Sequence, residues 1–372
     1  MDYPKQRRAN LAALLPQDGV DVYLIHQPIN VSYLTGFTGD SSWLLLTSER
    51  VLLVSDARFT EQIAQECPGL ESVIRPPNQT IADAVVGELK KLHLRSIAIE
   101  SSQMTVADFE NLRELLPATT WKPVRDKVES LRAIKDESEI AAIRQAIHIA
   151  ERAFTAFRSL LRFEDTEKDL VDAMESYIRK AGGEKTSFPT IIAVGERAAL
   201  PHAPPTTKRV HESSFLLVDW GAAGPQYKSD LTRMLLPRKS AASNKQQHDA
   251  KLDTIYELVL KAQRQAIGLI RPGARGQDVD AAARAVFQNA GFGKNFGHGL
   301  GHGIGLQVHE GPSLRPNSTS ILQPGMVVTV EPGLYLPGWG GVRIEDDVLV
   351  TQDGCEVLSS LGKDLSDSFC PI

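Results

Sequence analysis

These 372 residues predict an α/β fold in two domains, the first built on a mixed sheet. Three observations carry that expectation. At about 150 residues per domain the length allows two to three domains. From residue 5 to about 125, short β-rich apolar runs alternate with stretches of helical periodicity. Near residue 130 a polar stretch gives way to long helix-patterned segments and then to a tract crowded with glycine and histidine. The composition is 42% hydrophobic and 23% charged, which fits a globular protein and excludes a disordered, collagenous or coiled-coil chain. A formal net charge of −5 argues against a nucleic-acid-binding surface.

The amino terminus reads as a short amphipathic helix. Its apolar stretch ends at Pro16 and Asp18, too soon for a signal-peptide core. VDVYLI, WLLLT, RVLLVS and SIAIE read as strands, and FTEQIAQEC, TIADAVVGELKKL and TVADFENLRELL as helices. WLLLTSERVLLVS should form an antiparallel hairpin about the polar turn Thr47–Arg50. WKPVRDKVESLRAIKDESE is a polar connection that divides the chain into domains 1–130 and 131–372. The second domain should open with a helix over EIAAIRQAIHIAERAFTAFRSLL and another over Thr166 to Ala181. Strands at TIIAV, FLLVDW and SDLTRMLL follow, then helices over Asn244 to Ile270 and Gln277 to Asn289. Two strand-like segments, MVVTVEPGLYL and VRIEDDVLVT, close the chain. No apolar run approaches the roughly 20 residues that span a bilayer, so no membrane partner is expected. Cys67, Cys355 and Cys370 lie far apart without a close Cys pair, which suits a reducing cytoplasm.

The chemistry is concentrated in the second domain. Asp219 ends the apolar run FLLV, and eleven residues later Asp230 opens SDLTRMLL. Gly221, Gly224 and Pro225 between them mark a turn, so neighbouring strands could bring the two carboxylates together. Glu331 follows MVVTV and Glu345 follows VRI, with the Gly/Pro-rich EPGLYLPGWGG between them. Each acid taken singly could be a strand-end residue, and Glu345 could pair with Arg343 or Arg233. Four of them repeating one pattern need a cation, because a buried carboxylate is costly unless compensated. His298, His302 and His309 supply neutral ligands within a glycine-rich tract where backbones can approach closely. His298 on its own reads as a structural residue. No HExxH is present, so a zincin helix is excluded and the site must be built on strands. Four carboxylates and an imidazole suit two divalent cations with a bridging hydroxide, a centre for hydrolysing an amide or ester.

DWGAAGPQYKSDLTR, GHGLGHGIGLQVHE, GMVVTVEPGLY and GGVRIEDDVLV resemble, in order, the metal-site motifs of the pita-bread metallopeptidases. That family includes methionine aminopeptidases, Xaa-Pro aminopeptidases and prolidases. The first half, with its NVSYLTGFTGD segment, resembles the creatinase/prolidase-type amino-terminal α/β domain. The resemblance implies a pita-bread (α+β) catalytic domain and a metal set of Asp219, Asp230, His302, Glu331 and Glu345, the acids Asp230 and Glu345 bridging. Glu331 would shuttle protons, His202 and His309 would hydrogen-bond the scissile amide, and Arg343 would orient carboxylates. It further implies two divalent ions, manganese first with cobalt, iron or zinc as alternatives. The expected substrate is a peptide with proline at the second position, and the expected assembly is a homodimer in which amino-terminal domains help enclose a neighbour's active site. An arginine that some prolidases carry four residues after the equivalent of His309 is replaced here by Ser313, with Arg315 two residues further on. That substitution favours an Xaa-Pro aminopeptidase over an Xaa-Pro dipeptidase. A peptide-binding scaffold of the same fold is the non-enzyme alternative, opposed by the intact ligand positions.

Overall fold

The computed structural model describes residues 2–93, 95–238 and 250–372. The chain divides into two compact units, Met1–Arg132 and Ala133–Ile372.

In the first unit a six-stranded sheet runs in the order Ser72–Arg75, Val51–Asp56, Trp43–Leu46, Val22–Ile25, Ser96–Glu100, Thr120–Val124. Trp43–Leu46 pairs antiparallel with both of its neighbours and the other pairings are parallel, so the sheet is mixed. The hairpin about Thr47–Arg50 is present, with Leu46 opposite Val51 and the Thr47 hydroxyl accepting from the amide of Arg50 at 2.8 Å. Helices Ile81–Leu92 and Val106–Leu115 begin where Thr80 and Thr105 cap them by accepting the amides of Asp83 and Asp108. Two strands lie outside the sequence expectation. Ser72–Arg75 is short, and Thr120–Val124 falls within the stretch read as a polar connection. The latter is an edge strand, a place where Pro123 costs no ladder hydrogen bond.

In the second unit a four-stranded sheet runs Phe369–Pro371, Leu231–Arg238, Leu216–Trp220, Ile191–Val194. A five-stranded sheet runs Glu310–Leu314, Gly301–Gly303, Val327–Val330, Asp346–Val350, Cys355–Val357. Alternation sorts the residues of each strand. Leu216, Val218, Trp220, Leu231 and Leu235 pack in one core with helices Glu137–Leu160 and Glu167–Lys180, where Trp220 stacks on Phe154 and donates to the carbonyl of Ala150 at 3.0 Å. Leu217, Met234, Val328 and Val330 join a second core beneath helices Ala250–Ile267 and Gly276–Asn289. The part of the expected Asn244–Ile270 helix before Ala250 lies outside the described residues.

The two carboxyl-terminal segments do not run as single strands. MVVTVEPGLYL divides into Val327–Val330 and Gly333–Leu336, and VRIEDDVLVT into Gly340–Arg343 and Asp346–Val350. Pro332 has no amide to donate, so the ladder breaks there. What reads in the sequence as a Gly/Pro-rich turn therefore holds a two-stranded ribbon, Gly333–Leu336 with Gly340–Arg343. Among the described residues no helix is long and apolar enough to cross a membrane.

Candidate metal centre and active-site cavity

Strand register explains how residues distant in sequence come to share one face. Asp219 pairs directly with Thr232, so the two side chains lie on the same side of the sheet, and Asp230, two residues before Thr232, lies there too. Gly221 allows the turn between them, since a Cβ there would sit 1.9 Å from the carbonyl oxygen of Ser229. In the five-stranded sheet Val330 pairs with Asp346, so continuing the register by one residue sets Glu331 opposite Glu345. Gly303 pairs with Val328 and His302 with Ser313, which puts His302 and Ser313 on the same face as Thr329 and Glu331. Gly301 lets these strands approach, because a Cβ there would lie 2.0 Å from the carbonyl of Thr329.

The structure thus brings all five expected metal residues together. Ligand atoms of Asp230, His302 and Glu345 lie within 4.8 Å of one another. The Nε2 of His302 is 3.4 Å from Glu331 and 3.8 Å from Asp230. Its Nδ1 lies 3.1 Å from the carbonyl oxygen of Gly303, a contact that only an N–H can stabilise, so the lone pair of Nε2 faces the acids. A lone pair aimed at carboxylates is repulsive unless a proton or a metal cation lies between them. One oxygen each of Asp219 and Glu345 is buried without a hydrogen-bond partner among the described residues. Orphaned oxygens, clustered like charges and an oriented imidazole fit divalent metal.

The electrostatics of the metal-free cluster agree. Burial and then the neighbouring Glu345, Asp219 and Glu331 push Asp230 far above the ordinary carboxylate range. Burial raises Glu345 likewise, with Glu331 and Asp219 adding to it. Glu331 is pushed up to about 8, chiefly by burial. Burial raises Asp219 in spite of Arg343, whose guanidinium donates to its carboxylate. His302 is lowered to about 4, first by burial and then by His309. These carboxyls hold their protons more tightly in the folded than in the unfolded chain. For Glu331, between an unfolded pKa near 4.5 and about 8, the unfolded state therefore binds fewer protons, and stability falls as pH rises. Metal-free protein should consequently melt lower at pH 8 than at pH 6, and added divalent metal should abolish or reverse that order. Scanning calorimetry at the two pH values decides it, and a metal-free Tm that rises towards pH 8 would count against the cluster.

The centre forms the floor of a cavity of about 660 Å³. His202, His298, His309, Ser313, Arg315 and Arg343 line it, together with Pro189, Pro201, Pro204 and Pro205. His309 is exposed, its ring 4.2 Å from that of His302. His202 stands on a loop whose two ends are clasped by Glu167, a fully buried carboxylate. Glu167 accepts from the amides of Val194 and Thr206 at 2.8 Å each and pairs with Arg197 at 2.9 Å. His298 sits in the cavity wall with Nε2 2.8 Å from the hydroxyl of Tyr335, and burial lowers it to about 4.

Arg343 is buried and donates to Asp219 and to the Tyr335 hydroxyl at 2.8 Å, so it orients a candidate ligand on one side and leads to His298 on the other. The structural alternatives for Glu345 resolve differently. Arg233 pairs through its side chain with Asp346 at 2.7 Å and touches Glu345 only at the backbone carbonyl, 2.6 Å away. Burial works against Asp346, yet Arg233 and Lys363 hold it down to about 2. Two participants escape the sequence. Thr232 donates to Glu345 at 2.7 Å and takes the Nε of Arg343 at 3.2 Å, and Tyr335 links Arg343 to His298. The alternation from Asp230 points to position 232, but a threonine in a strand raises no flag by type.

Both halves of the chain are similar to known proteins. Residues 141–352 match the model for metallopeptidase family M24, and residues 7–134 match that for the creatinase/prolidase N-terminal domain. The Xaa-Pro dipeptidase of Pyrococcus furiosus is 32% identical over 97% of this chain and 99% of that protein. Among solved structures, an Xaa-Pro dipeptidase from Bacillus anthracis superposes with a TM-score of 0.91 at 34% identity, covering 97% of this chain and 99% of its own. An X-Pro aminopeptidase from Thermotoga maritima gives 0.86 at 33% identity, over 95% and 98%. With both halves matched and the acids and histidine gathered on and beside its strands, this chain belongs to metallopeptidase family M24 and carries a creatinase/prolidase-type amino-terminal domain.

Proposed function

We propose that this protein is a metal-dependent exopeptidase that hydrolyses the Xaa-Pro bond at the amino terminus of peptides. The observation that carries the reading is the convergence of Asp219, Asp230, His302, Glu331 and Glu345 at the floor of the cavity, with buried oxygens left unpartnered. The Xaa-Pro specificity is supported by relatives named for that bond. Two divalent cations, manganese by preference, would be held by these five residues and would supply Lewis acidity and a more acidic water.

The chain's own groups do the rest. Glu331 takes a proton from the attacking water and delivers it to the proline nitrogen as the C–N bond breaks. That delivery is required because an amide nitrogen is too basic to leave as an anion. His309 and His202 hydrogen-bond the scissile amide, and Arg343 keeps Asp219 in orientation. The test is hydrolysis of an Xaa-Pro peptide before and after chelation, with each metal added back. Cleavage that survives complete metal removal would refute the reading.

A second reading, dipeptidase activity, is favoured by Arg315. The register that sets Ser313 opposite His302 carries Arg315 to the same face, and Arg315 lines the cavity without an ion pair among the described residues. The other cavity arginine, Arg343, is committed to Asp219. A free proline carboxylate needs such a cation. If dipeptides are the substrates, Arg315→Ala should weaken binding of an Xaa-Pro dipeptide by about tenfold or more while sparing a tetrapeptide. Equal effects on both, measured as kcat/KM, would return the assignment to an aminopeptidase. We place the enzyme in the cytoplasm, supported by three unpaired cysteines, and as a homodimer, which sedimentation at micromolar concentration would refute by showing monomer alone.

A further inference from the structure

We propose that a buried ion pair, Lys135 with Glu310, is the device that aims His309 into the cavity, so that Lys135 is a positioning residue for the reaction. The inference rests on the reading of His309 as a substrate-facing donor. His309 needs such a device, because it is exposed at the end of the loop between the strands Gly301–Gly303 and Glu310–Leu314. The pairing of those strands shifts register between His302 and Gly303, so the ladder alone does not fix the residue that precedes Glu310.

Glu310 supplies what the ladder lacks. His309 is the last residue of the loop and Glu310 the first of the strand Glu310–Leu314, so anchoring the side chain of Glu310 fixes the backbone from which His309 reaches the cavity. The side chain of Glu310 is 5% exposed and that of Lys135 not at all, with 2.9 Å between Nζ and Oε1. The second oxygen of Glu310 accepts the amide of Gln307 at 3.2 Å, closing the loop on itself. Gly305 makes room, for a Cβ there would lie 2.6 Å from Glu310 and 3.1 Å from the side chain of Lys135. The ammonium is itself held on a fixed frame. The amide of Lys135 donates to the carbonyl of Gly325 at 2.9 Å, and Asp136 next to it caps the helix Glu137–Leu160. Neither residue belongs to the metal set. A buried charge pair of this kind is weak evidence for stability, since its desolvation offsets most of its attraction, and geometric specification is a better account of it.

The test is the paired variant Lys135→Met with Glu310→Gln, which removes both charges together and leaves neither buried alone. Its kcat for an Xaa-Pro substrate should fall about 10- to 100-fold with KM and metal content little changed, as expected for a misplaced donor. In a His309→Ala background the same pair of changes should cost nothing further. A purely structural pair would lower kcat by the same factor in both backgrounds, and that result would overturn the proposal. Full kcat in the paired variant, beside a defective His309→Ala, would overturn it too. An unimpaired His309→Ala would remove the role of His309 itself, and the positioning role would go with it. Should the paired variant fail to fold by circular dichroism, Glu310→Gln alone carries the same coupling measurement.

Discussion

Asp230→Ala is expected to abolish hydrolysis and to strip the protein of metal without unfolding it. Asp230 lies in the tightest group of candidate ligand atoms, with His302 and Glu345, and a bridging role would make both metal positions depend on it. Its carboxyl is also burdened by neighbours, pushed upward by burial, Glu345, Asp219 and Glu331. Removing it relieves that repulsion, so the metal-free variant should melt no lower than the metal-free parent. Elemental analysis, turnover and calorimetry on the same preparation check the three parts. Near-normal metal content with activity would refute the dinuclear assignment, and collapse of the fold would show that Asp230 is structural.

Glu331→Gln should produce the second-largest loss, about 10³-fold in kcat, because the amide keeps the shape but can no longer carry a proton between water and the proline nitrogen. Glu331 suits this duty. It is only partly buried, at the cavity floor, 3.4 Å from the imidazole of His302 and 3.4 Å from the Thr329 hydroxyl. The variant should retain more metal than Asp230→Ala. A loss smaller than tenfold would move the proton-carrying duty to another group.

The candidate ligand set is legible in the sequence because a carboxylate at either end of an apolar run strains the ordinary rule of burial, and Asp219, Asp230, Glu331 and Glu345 repeat that pattern. Thr232, Tyr335 and Lys135 violate nothing by residue type. Thr232 becomes informative only through its register with Asp219 and its bond to Glu345, and Lys135 only through a partner far along the chain. His298, read as structural, does make a structural bond to Tyr335 and lines the cavity as well. Periodicity identified Trp43–Leu46 and Val51–Asp56 because each is a buried apolar run. It missed Thr120–Val124 because an edge strand has a half-exposed, mixed pattern and tolerates proline. It joined Val327–Val330 to Gly333–Leu336 because hydrophobicity continues across Pro332 while hydrogen bonding does not.

The register that gathers the acids also dictates when the centre can exist. Asp219 and its partner Arg343 are 124 residues apart, and Thr232 and Glu345 are 113 apart. A chain emerging from the ribosome therefore holds two of the five candidate ligands, Asp219 and Asp230, until the segment from His302 to Glu345 has been made. Local contacts form early and distant ones are slow to form, so a centre held by all five residues would assemble late. An ion bound there would stabilise the native state in proportion to the logarithm of its free concentration. Loading of such a centre would follow completion of the fold.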